Sequence, residues 1–244
     1  MYALTLVDLA VGFIPVLVTL AIIYYWSDNL RQATVAILRM LLQLLLIGYA
    51  LEFIFGTNNQ WVIVAVLAFM LAAASWIALG SLPIRRSTLL LHSFTAIAIG
   101  GIFNLVLVTQ GVLHVTPWYQ PAAMIPLAGM IFSNSMNCVS LAGERLFSDL
   151  ELHGDYARAR NAGFQAALIP ITNSLLAVGL VSLPGMMTGQ ILAGTSPLIA
   201  ARYQIMVMCM IFGSAGISTA LFLWLIRAEG QRICREMKGA SCGS

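Results

Sequence analysis

WVIVAVLAFMLAAASWIALG, residues 61–80, runs for twenty positions without a charged side chain. At a rise of about 1.5 Å per residue a helix of that length spans about 30 Å, the depth of a bilayer's hydrocarbon core. Backbone amides in hydrocarbon must bond within their own segment, so the stretch reads as a membrane-spanning helix rather than a strand. Its edges are plain: the polar turn Thr57-Asn58-Asn59-Gln60 precedes it, and Ser81-Leu82-Pro83 with Arg85 and Arg86 closes it. Working outward, apolar runs of the same kind place spans near 7–26, 35–55, 89–110, 122–143, 164–192 and 204–226. An all-α polytopic membrane protein of about seven transmembrane helices follows. Residues 1–244 read as a single membrane domain, and its first apolar run reads as a retained helix rather than a cleaved signal peptide.

Composition agrees. Of 244 residues, 60% are hydrophobic and 9% charged, with a mean hydropathy of +0.92, against about 25% charged in ordinary soluble domains. Polar surface for a water-soluble globule is lacking, which excludes a soluble enzyme and a nucleic-acid binder. The basic residues then orient the spans. Arg31, Arg85, Arg86, Arg145, Arg158, Arg160, Arg227, Arg232, Arg235 and Lys238 fall on one side of a seven-span path, and Arg202 alone on the other. The positive-inside rule makes the rich side cytoplasmic, so the N-terminus is expected outside and the C-terminus inside. The four cysteines, Cys138, Cys209, Cys234 and Cys242, show no ligand or disulfide spacing and are expected as free thiols.

Several spans depart from plain lipid-facing filler. The second contains Arg39, Gln43 and Glu52; Arg39 and Gln43 share a helical face, while Glu52 lies about 20 Å further along and cannot pair with Arg39 inside the helix. They either snorkel to headgroups or face an aqueous path. In the fifth, Gly129, Ser133 and Asn137 recur every fourth residue beside Asn134, a stripe suited to helix packing or to a translocation path. The sixth, 164–192, would be about 43 Å long as one rod and includes Pro170, Gly179, Pro184 and Gly185. A kink or break at Ser182-Leu183-Pro184-Gly185 is expected, and discontinuous helices of this kind line transport paths. Met130, Met136, Met186, Met187, Met206, Met208 and Met210 with Cys138 and Cys209 would supply soft sulfur ligands if they converged, although packing is methionine's usual work.

The sizeable cytoplasmic segment, 144–163, reads ERLFSDLELHGDYARARNAG. Leu146 and Leu150 with Phe147 fit a short amphipathic helix on the membrane or against another protein. Missing signatures matter as well: there is no GxxxxGK[ST] phosphate loop, no GxSxG and no HExxH. The chain reads as no enzyme, and uphill transport would need an outside motor. A seven-helix receptor or channel without such coupling is the alternative.

RMLLQLLLIGYALEFIF (39–55), IPLAGMIFSNSMN (125–137), AALIP (166–170), GLVSLPGMMTGQILAG (179–194) and ARYQIMVM (201–208) together resemble the FetB-type ABC transporter permeases. That family includes a bacterial iron exporter subunit and plant relatives linked to aluminium tolerance. The resemblance implies a homodimeric permease of the cytoplasmic (inner) membrane that exports iron or another metal species. It implies also a separate nucleotide-binding subunit, which binds the ATP and Mg2+ while this chain binds no cofactor. By the same likeness 144–163 occupies the coupling position, with Leu146, Phe147, Leu150 and Gly154 as docking residues. Asn134, Asn137, Pro184, Gly185, Met186 and Met187 fall in the family's recurring segments and, with Arg39, Gln43 and Glu52, are the candidates for the substrate path.

Overall fold

The computed structural model describes residues 6–27, 30–56, 59–80, 82 and 86–232. Arg85, Arg235, Lys238, Cys234 and Cys242 lie outside the described residues, as does the side chain of Glu52. Contacts divide the chain into an N-terminal unit, residues 1–57, and a larger unit, residues 58–244. Among the described residues every extended element is helical, as the apolar runs require.

In the N-terminal unit the expected first span is made of two helical pieces, α1 (Leu6–Gly12) and α2 (Ile14–Trp26). Pro15 explains the joint. It has no amide to donate, its ring crowds the preceding turn, and Phe13 bonds Ala10 O in a tighter turn at 3.1 Å. The long helix α3 (Leu30–Phe55) follows, starting five residues before its sequence-based boundary. Leu42, Leu44, Leu45 and Leu46 stand exposed along it, an arrangement suited to lipid and not to water.

In the larger unit α4 (Gln60–Ala78) begins where Asn59 accepts a hydrogen bond from the Trp61 amide at 3.0 Å. Helix α5 (Arg86–Val106) runs on as a π-helical stretch, Leu107–Val112. Then come α6 (Pro121–His153), α7 (Tyr156–Ala177), α8 (Gly185–Leu192) and α9 (Pro197–Leu225). The start of α9 lies seven residues before the expected boundary because Ser196 caps it, its Oγ accepting from the Ile199 amide.

Small residues let these helices close up. Ser218 of α9 donates to Ser135 Oγ of α6 at 3.3 Å, and Ser93 of α5 donates to Ser75 O of α4 at 3.4 Å. A Cβ on Gly163 of α7 would lie 2.7 Å from Ala142 O of α6, so the two backbones touch there. Cys138 of α6 faces Ala167 O of α7 at 3.2 Å. These pairings set α7 antiparallel to α6. The Tyr156 hydroxyl bonds Leu223 O, which brings the start of α7 to the end of α9. Helices α6 and α9 therefore run the same way, with α7 returning between them.

Among the described residues, six helical stretches are long and apolar enough to cross a membrane: 8–26, 30–51, 60–78, 87–112, 121–153 and 197–225. The expected sixth span is the exception. Instead of one kinked rod over 164–192, α7 is a 22-residue helix antiparallel to α6, its apolar character diluted by Arg158, Arg160, Asn161 and Gln165, and α8 is a separate short helix. Cys138 and Cys209 are free thiols, as expected.

Candidate functional site

The site is built where α7 stops. Val178 is extended (φ −62°, ψ 130°), and Gly179 adopts φ +80°, a conformation that L side chains rarely take. Gly179 N–H then bonds Ser182 O at 2.9 Å, and Val181 N–H bonds Ala177 O at 2.8 Å. Residues 178–183 thus form a self-bonded loop, after which extended Pro184 (φ −61°, ψ 142°) leads into α8. The break begins at Val178, six residues before the proline expected to cause it. Its cause is the Gly179 turn; Pro184 only fixes the entry to α8.

Two helix ends face α6 and α9 across this break and leave a cavity of about 360 Å³. Met130 and Asn134 of α6, Pro184, Gly185 and Met186 at the start of α8, and Gln204 and Met208 of α9 are among its lining residues. No charged side chain lines it. Asn134 Nδ2 donates to Met130 O at 2.8 Å, which engages one of its two N–H groups and leaves the other, together with Oδ1. Gln204 is 7% exposed, and its Oε1 has no hydrogen-bond partner. A buried, unsatisfied acceptor costs about 1–3 kcal/mol, so Gln204 Oε1, closed off within this cavity wall, would gain from a ligand or water reached by a turn of its side chain. A neighbouring cavity of about 320 Å³ shares Gln204 and Met208 and includes Met187 and Cys209.

The structure thus brings together Asn134, Pro184, Gly185 and Met186, with Met187 next door. Within the larger unit Asn137 does not join them. Ser133 and Asn137 are exposed on α6 rather than packed in a seam. Arg39 and Gln43 are exposed on α3 of the N-terminal unit. Gln204 was missed, although an amide within the apolar run of α9 was a visible signal. Of the sulfur residues only Met130, Met186 and Met208 line this cavity. Among the described residues no group of three His, Cys, Asp or Glu side chains could hold a metal.

The opposite end of this unit corrects the docking residues. Leu146, Phe147 and Leu150 are not a free amphipathic face: they are 0%, 4% and 0% exposed. Residues 144–153 are the last turns of α6, and a two-residue turn joins them to α7. Gly154 (φ +62°) ends α6, and Asp155 caps α7 by accepting from the Ala157 amide at 2.9 Å. The apolar face is used up against α7 and the end of α9, where Leu150 and Tyr156 meet Gly230. What remains outward is Glu144, Arg145, Ser148, Glu151, Leu152 and His153. Asp149, 3% exposed, sits within 3.9 Å of Arg145, 3.5 Å of His153 and 3.8 Å of Arg158, tying the α6 tail to α7.

The profile of a family described as "Uncharacterised protein family (UPF0014)" matches residues 6–160 and 153–229, nearly the whole described chain. The chain belongs to the UPF0014 family. The two matched stretches overlap over residues 153–160, across the α6–α7 turn. Three UPF0014 relatives illustrate its range. UPF0014 membrane protein slr1647 of Synechocystis is 40% identical over 74% of this chain and 76% of its own. Probable iron export permease protein FetB of Escherichia coli is 35% identical over 77% of this chain and 76% of its own. Protein ALUMINUM SENSITIVE 3 of Arabidopsis thaliana is 34% identical over 86% of this chain and 82% of its own. No solved structure matches the chain. As a UPF0014 member with six long apolar helices, this is a multi-pass membrane protein.

Proposed function

We propose that this chain is the membrane-spanning permease subunit of an ABC transporter. It exports iron or another metal species across the cytoplasmic membrane while a separate nucleotide-binding subunit hydrolyses ATP. The similarity to the probable iron export permease FetB carries the reading. Supporting it, the cavity sits at a broken helix pass, where loop backbone is tolerated because it lines a polar space. Arg145, Arg158, Arg160 and Arg227 gather at the α6–α7 turn and the end of α9, with Arg202 near the start of α9, so the turn lies at the cytoplasmic end under the positive-inside rule.

In this reading the rigid α6–α7 hairpin, and not a loose loop, receives the motor's stroke. Asp149 and the packed leucines make α6 and α7 move as one piece, so a push at the turn reaches the cavity at the far end of α7. Exposed Asn137 is covered by a second copy of the chain, since an exposed amide on a membrane helix needs a partner. The test is co-expression with the candidate ATPase, followed by ATP-driven movement of iron in vesicles. Movement that needs both chains and ATP supports the reading; equal movement without nucleotide contradicts it.

A further inference from the structure

The reading above leaves open what kind of metal species the cavity takes, and its wall has a definite chemistry. Three thioethers, Met130, Met186 and Met208, line a space that as a sphere would be about 9 Å across, close enough for flexible methionine side chains to meet on one ion. Two amide oxygens stand beside them: Gln204 Oε1, buried and without a partner, and Asn134 Oδ1, whose amide nitrogen is held on Met130 O through one N–H. Every one of these groups is an uncharged electron-pair donor. No Lys, Arg or His supplies a cationic partner for an anion, and no carboxylate offsets a high positive charge.

Cations sort by softness and by charge. Thioethers select soft ions, whereas hard trivalent ions need anionic oxygen to replace their water. A neutral donor set in low-dielectric surroundings compensates a single positive charge most readily and a triple one least. We infer that this cavity is a binding site for a soft or borderline cation of low charge, held by the Met130, Met186 and Met208 sulfurs with Gln204 Oε1. It favours a cuprous-type monovalent ion first and ferrous iron next, and disfavours ferric iron and aluminium. The inference rests on the proposed function only for the statement that the bound ion is cargo; the binding itself needs no partner subunit.

Silver(I) is the probe, as a redox-stable monovalent soft ion, applied to the full chain in neutral-lipid nanodiscs. Cys138, Cys209, Cys234 and Cys242 are first replaced by Ser so that no thiol competes. The expected result is one tightly held silver ion per chain with a sulfur shell in X-ray absorption. The triple variant Met130→Leu/Met186→Leu/Met208→Leu should weaken binding by more than the roughly tenfold that loss of an outer-shell partner costs. Leu conserves volume, and the control Met136→Leu/Met206→Leu, away from the cavity, should bind as before. Gln204→Leu should weaken binding less than the triple variant. Silver binding that survives the triple variant, an oxygen-only shell, aluminium bound as tightly as silver, or no silver binding by a folded chain would each overturn the inference. These failures leave ATP-driven transport untouched, whereas lost transport with intact silver binding would count against the proposed function alone.

Discussion

Gly163 shows how little slack the α6–α7 contact has. With Ala142 O only 2.7 Å from where its Cβ would be, Gly163→Val must push two backbones apart. A cost of about 1–3 kcal/mol is expected, read as a lower Tm in detergent. Gly189, with open space around its Cβ position, should accept Ala without loss, because helix propensity favours Ala. Asp149 makes an asymmetric prediction. Asp149→Asn leaves Arg145 and Arg158 more than half exposed to solvent and should cost about 1 kcal/mol or less. Arg145→Ala/Arg158→Ala instead leaves a buried carboxylate with only His153 beside it and should cost more, about 3 kcal/mol, measured by the same melts. At this scale the sequence was partly legible. Asn134 and Met186 could be picked as polar or soft groups in apolar runs, but nothing local distinguished Leu146, buried against two helices, from a leucine on a docking face.

At the scale of elements, the loop at 178–183 decides whether the broken pass persists. Gly179→Val forces a branched side chain into φ +80° and should cost about 1–2 kcal/mol, with reduced metal movement in vesicles. Pro184→Ala/Gly185→Ala, by contrast, leaves the Gly179 turn in place, so spin labels on α7 and α8 should keep their separation; a shortened, helix-like spacing would show that the proline makes the break. The hairpin turn carries another expectation. Leu152 is 72% exposed, so Leu152→Asp should abolish co-purification with the ATPase while changing stability by no more than about 0.5 kcal/mol. Apolar runs made six long helices visible from sequence, because in lipid the length and greasiness of a segment are nearly the whole rule. The limits of α6 and α7 were misread for a physical reason. Past the membrane the helix continues on capping chemistry, and the Gly154-Asp155 stop and start signal outweighs the loss of hydropathy.

For the whole molecule, the proposed orientation rests on the charge rule and the cavity on packing, and neither was readable from the other. Periodicity along one helix cannot reveal which residues of α6, α8 and α9 meet, so the convergence of Met130, Met186, Met208 and Gln204 emerged only from the fold. The family assignment, carried by sequence segments spread over the chain, was legible from the start. The most direct measurement is metal flux into inside-out vesicles containing this chain, with and without the co-expressed nucleotide-binding subunit. The account predicts iron accumulation that requires ATP and both chains. Flux from this chain alone that ignores ATP, or ATP hydrolysis by this chain alone, would contradict it.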